Sequence, residues 1–85
     1  MKKFTYTITD LEGIHARPAG RLVKLAAGFA SDIKIEKDGV SMDAKRIFGV
    51  MGLGAKAGQE VVFTAEGSDE DDAIVEIETF MKENL

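Results

Sequence analysis

Phe4, Tyr6 and Ile8 alternate with Thr5, Thr7 and Thr9, so residues 2–9 read as a strand with one apolar face. Beyond His15 the period changes: Ala19, Leu22, Val23 and Ala26 fall at helical spacing from Ala16 to about Ala27. Leu25 and Phe29 widen that apolar face, and Gly28 is placed to end the helix. Ile33 and Ile35 then alternate with Asp32, Lys34 and Glu36. Asp38-Gly39 is a hairpin signal, with Val40, Met42 and Ala44 on the return strand. Ile47 to Leu53 reads as a short helix closed by Gly54, and Val61, Phe63 and Ala65 mark a fourth strand. Ser68, with Asp71 three residues later, resembles a capping box. Asp69, Glu70 and Asp72 would add acids to the same first turn, at the positive end of the helix dipole. Ala73, Ile77, Phe80 and Met81 carry this last helix toward the C-terminus.

The predicted order is β-α-β-β-α-β-α. One-sided strands and amphipathic helices imply an α/β (α+β) two-layer open-faced sandwich, an antiparallel sheet with helices on one face. Eighty-five residues make one domain, 1–85, and a composition 45% hydrophobic and 31% charged belongs to a folded globular chain rather than a disordered tail. With no cysteine and one histidine, disulfides, thiolate metal sites and His-rich metal sites are excluded, and neither metal nor cofactor is expected. The opening MKKFTYTITD alternates instead of forming an apolar leader, and no run approaches the roughly 20 residues of a membrane span. A cytoplasmic protein without membrane insertion is expected.

Charge is unevenly distributed along the chain. The net charge of −4 conceals a segregation, because residues 13–56 hold eight Lys/Arg and four Asp/Glu while residues 57–85 hold one Lys and nine Asp/Glu. An acidic chain is a poor partner for nucleic acid, but its basic half can steer toward an acidic protein patch.

The candidate chemistry lies in GIHARPAG, residues 13–20. His15 is the only histidine and Pro18 the only proline, and both fall where the first helix begins. Pro18 suits a first turn, whose N–H groups have no intrahelical partner to lose. The free N–H groups of Ala16 and Arg17 then form a phosphate-binding backbone beside His15. A helix N-terminus disfavours an imidazolium and so favours a neutral, nucleophilic ring. Arg17 adds a guanidinium that can neutralise phosphate oxygens. These residues read as a histidine that becomes phosphorylated, set against the plainer reading of a structural or surface histidine. Arg17, Arg21 and Lys24 form a basic stripe, and Ile47, Phe48, Val50, Met51 and Leu53 cannot all face the core of one short helix. Together they suggest a docking surface for an acid-rimmed partner. Weaker patterns carry nothing: GVMGLG is not GxGxxG, GLGAKAGQ lacks the end of a P-loop, and residues 69–72 do not fit an EF-hand.

GIHARPAG, followed by RIFGVMGLGAKAG and VVFTAEGSDEDDA, resembles the HPr family over essentially the whole chain. This family comprises the histidine-containing phosphocarriers of the phosphoenolpyruvate-dependent sugar phosphotransferase system. The resemblance implies a four-stranded sheet of order 1-4-2-3 with three helices on one face. It implies that His15 takes a phosphoryl group on Nδ1 from enzyme I, charged by phosphoenolpyruvate, and passes it to the enzyme IIA domains of sugar permeases. Arg17 matches the phosphate-neutralising arginine, while Gly20, Arg21, Lys24, Ile47, Phe48, Met51 and Gly54 map onto the partner-docking face. The chain is expected to act as a monomeric carrier, not as a true catalyst.

Two positions depart from the family pattern. Position 12, commonly small and polar near the ring, is Glu12, whose carboxylate can accept a hydrogen bond from the ring or repel the incoming phosphate. Arg46 stands where many Gram-positive relatives carry a serine phosphorylated by an ATP-dependent kinase, so escape from that control is expected. Arg46 would instead extend the positive rim around Ile47 and Phe48. Two other readings compete with the sugar-uptake carrier: a regulatory HPr-like binding protein acting on enzymes or transcription factors, and a ligand-binding sandwich with a structural histidine.

Overall fold

A computed structural model describes residues 1–85. Its elements run β1 (Lys2–Thr7), α1 (Ala16–Ala27), β2 (Asp32–Lys37), β3 (Val40–Asp43), α2 (Ile47–Gly52), β4 (Glu60–Glu66) and α3 (Glu70–Asn84). The four strands form one antiparallel sheet in the order β1-β4-β2-β3. The three helices cover one face, so the expected open-faced sandwich and strand order are both present. No helix is long and apolar enough to cross a membrane.

The two-residue period fixes the register. Phe4 lies opposite Phe63, Phe63 opposite Ile35, and Ile35 opposite Met42, which makes one apolar row across all four strands. A one-residue slip would turn that row to solvent, so burial of one face specifies the pairing. Phe4 and Phe63 stack with ring centroids 5.2 Å apart. On the opposite face the corresponding row is Thr5, Val62, Glu36 and Ser41. Beneath the helices, Ile33, Ile35, Val61, Phe63 and Ala65 meet Ala19, Leu22 and Ala26 of α1 and Ala73, Ile77 and Met81 of α3 in one buried cluster. The hairpin turn uses positive φ at both Asp38 (52°) and Gly39 (81°), the geometry that matches strand twist in a two-residue loop.

Two local expectations need correction. β1 ends at Thr7 rather than Thr9, because the Ile8 N–H donates to Gln59 and the Thr9 N–H to Leu85, outside the ladder. Gly28 caps α1 as expected, in a right-handed conformation (φ −75°). The Ser68–Asp71 capping box does not form: α3 begins at Glu70 with Asp69 as N-cap. Asp69 turns its carboxylate away from its own helix, accepting from the Ala30 N–H (2.8 Å), the Ser31 N–H (2.9 Å) and the Ser31 hydroxyl. Glu70 instead accepts from the Gly67 N–H at 3.1 Å.

Candidate functional site

The segment from Ile8 to His15 is tied down along its length. The Thr9 N–H, the Thr9 hydroxyl and the Asp10 N–H all donate to the carbonyl oxygen of Leu85 (2.6, 2.9 and 2.9 Å). Asp10 closes a local turn, its Oδ1 accepting the Glu12 N–H at 2.8 Å and its carbonyl the Gly13 N–H at 2.9 Å. Gly13 has φ +69°, and a Cβ there would collide with the Ala55 carbonyl oxygen. That close approach lets the Ile14 N–H donate to Ala55 at 3.0 Å and seats Ile14 in the core. The loop ahead of α1 is therefore fastened to the α2–β4 connection.

His15 emerges from this support as the N-cap of α1, with extended backbone (φ −98°, ψ 179°). Its carbonyl accepts the Ala19 N–H at 2.9 Å and its side chain makes no capping bond, so the ring is not used to hold the helix. The Ala16 and Arg17 N–H groups have no hydrogen-bond partner, and buried Pro18 has no N–H to leave unpaired. Two free donors at a helix N-terminus thus lie next to the only histidine, and no acid occupies that first turn.

The ring is bracketed. Asp10 Oδ2 lies 3.6 Å from Nε2, and Glu12 Oε2 lies 3.4 Å from Nδ1. Both contacts are longer than a formed hydrogen bond, and they become ion pairs only when the ring is protonated. The sequence singled out Glu12 but missed Asp10; the signal available was the D-x-E-G string, in which an aspartate can bond the backbone two residues on. His15 is partly exposed and stands on the surface, not in a cavity. The two concavities of the molecule lie elsewhere, one at Thr7, Glu36, Asp38 and Gln59, the other between α1 and α3 at Leu25, Glu76 and Phe80. A group exposed in this way is reached by a docking protein more readily than by a small substrate held in a pocket.

Around it, Arg17, Arg21 and Lys24 are exposed and form no ion pair, leaving the basic stripe free of internal compensation. The Arg17 guanidinium makes no hydrogen bond to His15 or to either carboxylate. Gly20 is exposed beside the stripe, with open space where a Cβ would stand. α2 packs against α1 and divides its apolar residues: Val50 is buried, as is Leu53 at the helix's C-cap, Ile47 is half-buried, and Phe48 and Met51 face solvent at 88% and 40% exposure. Gly54, at φ +62°, turns the chain just after α2 into open space. Arg46, the N-cap of α2, is mostly exposed and lies 4.0 Å from Asp43, which offsets its position at the positive end of that short helix. Leu11, in the same loop as Asp10 and Glu12, is 93% exposed and adds an apolar side chain that the sequence pattern did not single out.

Comparison with known proteins bears on this site. Residues 2–83 match the family model described as the PTS HPr component phosphorylation site. The histidine-containing phosphocarrier protein of Mycoplasma is 40% identical and superimposes with a TM-score of 0.93, covering 96% of this chain and 93% of its own. An HPr from Thermoanaerobacter tengcongensis is 41% identical, with a TM-score of 0.92 and coverage of 96% and 92%. Crh, the catabolite repression protein of Bacillus subtilis whose structure is a swapped dimer, is 36% identical, with a TM-score of 0.79 and coverage of 94% and 92%.

Proposed function

The chain belongs to the HPr family of the phosphotransferase system, and from that premise we propose that it carries a phosphoryl group on His15 between enzyme I and the enzyme IIA domains of sugar permeases. The observation that carries this reading is the surface position of His15 at the N-terminus of α1, beside the unpartnered N–H groups of Ala16 and Arg17. In the transfer step the Nδ1 lone pair attacks phosphorus and the bond to the donor nitrogen of phosphorylated enzyme I breaks, its electron pair leaving with that nitrogen. The two N–H donors and the Arg17 guanidinium stabilise the phosphoryl oxygens, where charge gathers in the transition state. Reversing the same step on an acceptor histidine delivers the group. His15 becomes a phosphorylated intermediate, and the chain works as a carrier without catalysing a reaction of its own.

The docking face proposed is Gly20, Arg21, Lys24, Arg46, Ile47, Phe48, Met51 and Gly54: an exposed aromatic and a methionine beside the unpaired charges of Arg21 and Lys24 and the Asp43-paired charge of Arg46. Such a face fits an apolar patch with an acidic rim. Arg46 in place of a phosphorylatable serine removes control by an ATP-dependent serine kinase at that position. A regulatory role alone, suggested by the likeness to Crh, is the second reading; the presence of both His15 and Arg17 favours the carrier. Incubation with enzyme I, Mg²⁺ and radiolabelled phosphoenolpyruvate, followed by addition of an enzyme IIA domain, separates them. A carrier takes up the label and loses it to enzyme IIA; a purely regulatory protein does not pass it on.

A further inference from the structure

Asp10 and Glu12 reach the two nitrogens of one ring from the same loop, but they are held differently. Asp10 is fixed, its other oxygen accepting the Glu12 N–H at 2.8 Å, and its side chain is only 29% exposed. The Glu12 side chain is 73% exposed, and its carboxylate has no partner other than His15 Nδ1 at 3.4 Å. A carboxylate beside Nε2 favours the tautomer with the proton on Nε2, which leaves the Nδ1 lone pair free to attack. A carboxylate beside Nδ1 favours a proton on Nδ1, which occupies that lone pair. The two acids therefore bias the ring in opposite directions, and only the exposed, otherwise unpartnered one stands where a phosphoryl group would have to go.

We infer that Glu12 is a displaceable guard of Nδ1, which slows entry of the phosphoryl group and raises its tendency to leave once transferred, while Asp10 holds the ring in the attacking tautomer. Both are positioning residues, and the inference rests on His15 Nδ1 as the phosphoryl acceptor. When Nδ1 attacks phosphorus, Glu12 must swing into solvent, which its exposure allows, and a carboxylate then remains near a new dianion. A like charge at an exposed site changes such rates and equilibria by up to about tenfold and is screened by salt. Relative to a chain with a neutral residue at position 12, this protein is a reluctant acceptor and a ready donor.

Phosphoramidate tests this without any partner protein. The Nδ1 lone pair attacks the phosphorus of phosphoramidate in its zwitterionic form, whose nitrogen is already protonated to –NH3⁺; the P–N bond breaks with its electrons on nitrogen, which leaves as ammonia, while the ring keeps its proton on Nε2. In Glu12→Gln, similar in shape but uncharged, phosphorylation of His15 Nδ1 at low salt is expected to run about three- to tenfold faster than in the parent, the difference shrinking in concentrated salt. Nitrogen-15 NMR of the ring should show more of the Nε2–H tautomer in Glu12→Gln and less of it in Asp10→Asn. Glu12→Gln rates within 1.5-fold of the parent, an acceleration that salt leaves intact, or an unchanged ring signal would overturn the inference. A parent phosphorylated by phosphoramidate but not by phosphoenolpyruvate through enzyme I overturns the functional reading and leaves this inference standing. A parent with no phosphoryl group on Nδ1 from either donor overturns both.

Discussion

Gly13→Ala tests how the loop that presents His15 is held in place. At φ +69° an alanine adopts a left-handed conformation that costs about 1–2 kcal/mol. Its Cβ would also collide with the Ala55 carbonyl oxygen and come within 2.9 Å of Lys56 Cα, both backbone atoms that no rotamer change can move. Separating the two segments costs the Ile14 N–H bond to Ala55, worth about 1 kcal/mol, and loosens the packing of Ile14 in the core. The expected loss is about 3 kcal/mol, which for a domain of this size lowers the melting temperature by roughly 12–24 °C. Gly58→Ala is the control, because Gly58 has φ +85° but open space around its Cβ position. It should cost only the backbone term, about 1–2 kcal/mol. Thermal and urea unfolding of both variants measure the difference. Equal losses in the two would refute the claim that close approach to the α2–β4 connection fixes the His15 loop.

Other expectations follow from the same contacts. Arg17→Ala should melt like the parent, since its side chain is exposed and unpaired, but accept phosphate from enzyme I about tenfold or more slowly; unchanged transfer kinetics would remove Arg17 from the site. Phe48→Ala should leave stability within about 0.5 kcal/mol of the parent while weakening binding to enzyme I at least fivefold, by an order-of-magnitude allowance for an exposed aromatic anchor; titration calorimetry and melts on one preparation decide it. The Ser31 hydroxyl, then the Ala30 N–H, hold the Asp69 carboxyl below its ordinary value of 3.8. Its stabilising contribution is therefore complete above the unfolded pKa and lost as pH falls through the lower folded value. Asp69→Asn should be less stable than the parent at neutral pH, with the gap closing in acid; a gap independent of pH would contradict that assignment.

The sheet was legible because burial of one face forces period two, and Phe4, Phe63, Ile35 and Met42 repeat that constraint on all four strands. The hairpin at Asp38-Gly39 was legible for a similar reason, since few residue pairs accept two positive φ angles. The start of α3 was misread because a capping box is judged locally, whereas Asp69 is claimed by N–H groups of Ala30 and Ser31, far away in sequence. His15, Ala16 and Arg17 could be read from their spacing, because a helix start exposes its own N–H groups wherever it lies. The Asp10 contact to Nε2 could not, because it depends on the turn at Gly13 and on its approach to Ala55. Division of α2 into buried Val50 and exposed Phe48 was expected in kind, but which residue faces outward depends on how α2 packs against α1.

A phosphocarrier of this kind holds one phosphoryl group, on His15. Enzyme I, Mg²⁺ and radiolabelled phosphoenolpyruvate, applied to the parent and to His15→Ala, with phosphorus-31 and nitrogen-15 NMR of the product, test it most directly. One acid-labile, alkali-stable phosphoryl group per chain, bonded to Nδ1, is expected, with no label in His15→Ala. Label that persists in His15→Ala, or a parent that remains unlabelled while enzyme I is itself phosphorylated, would contradict it.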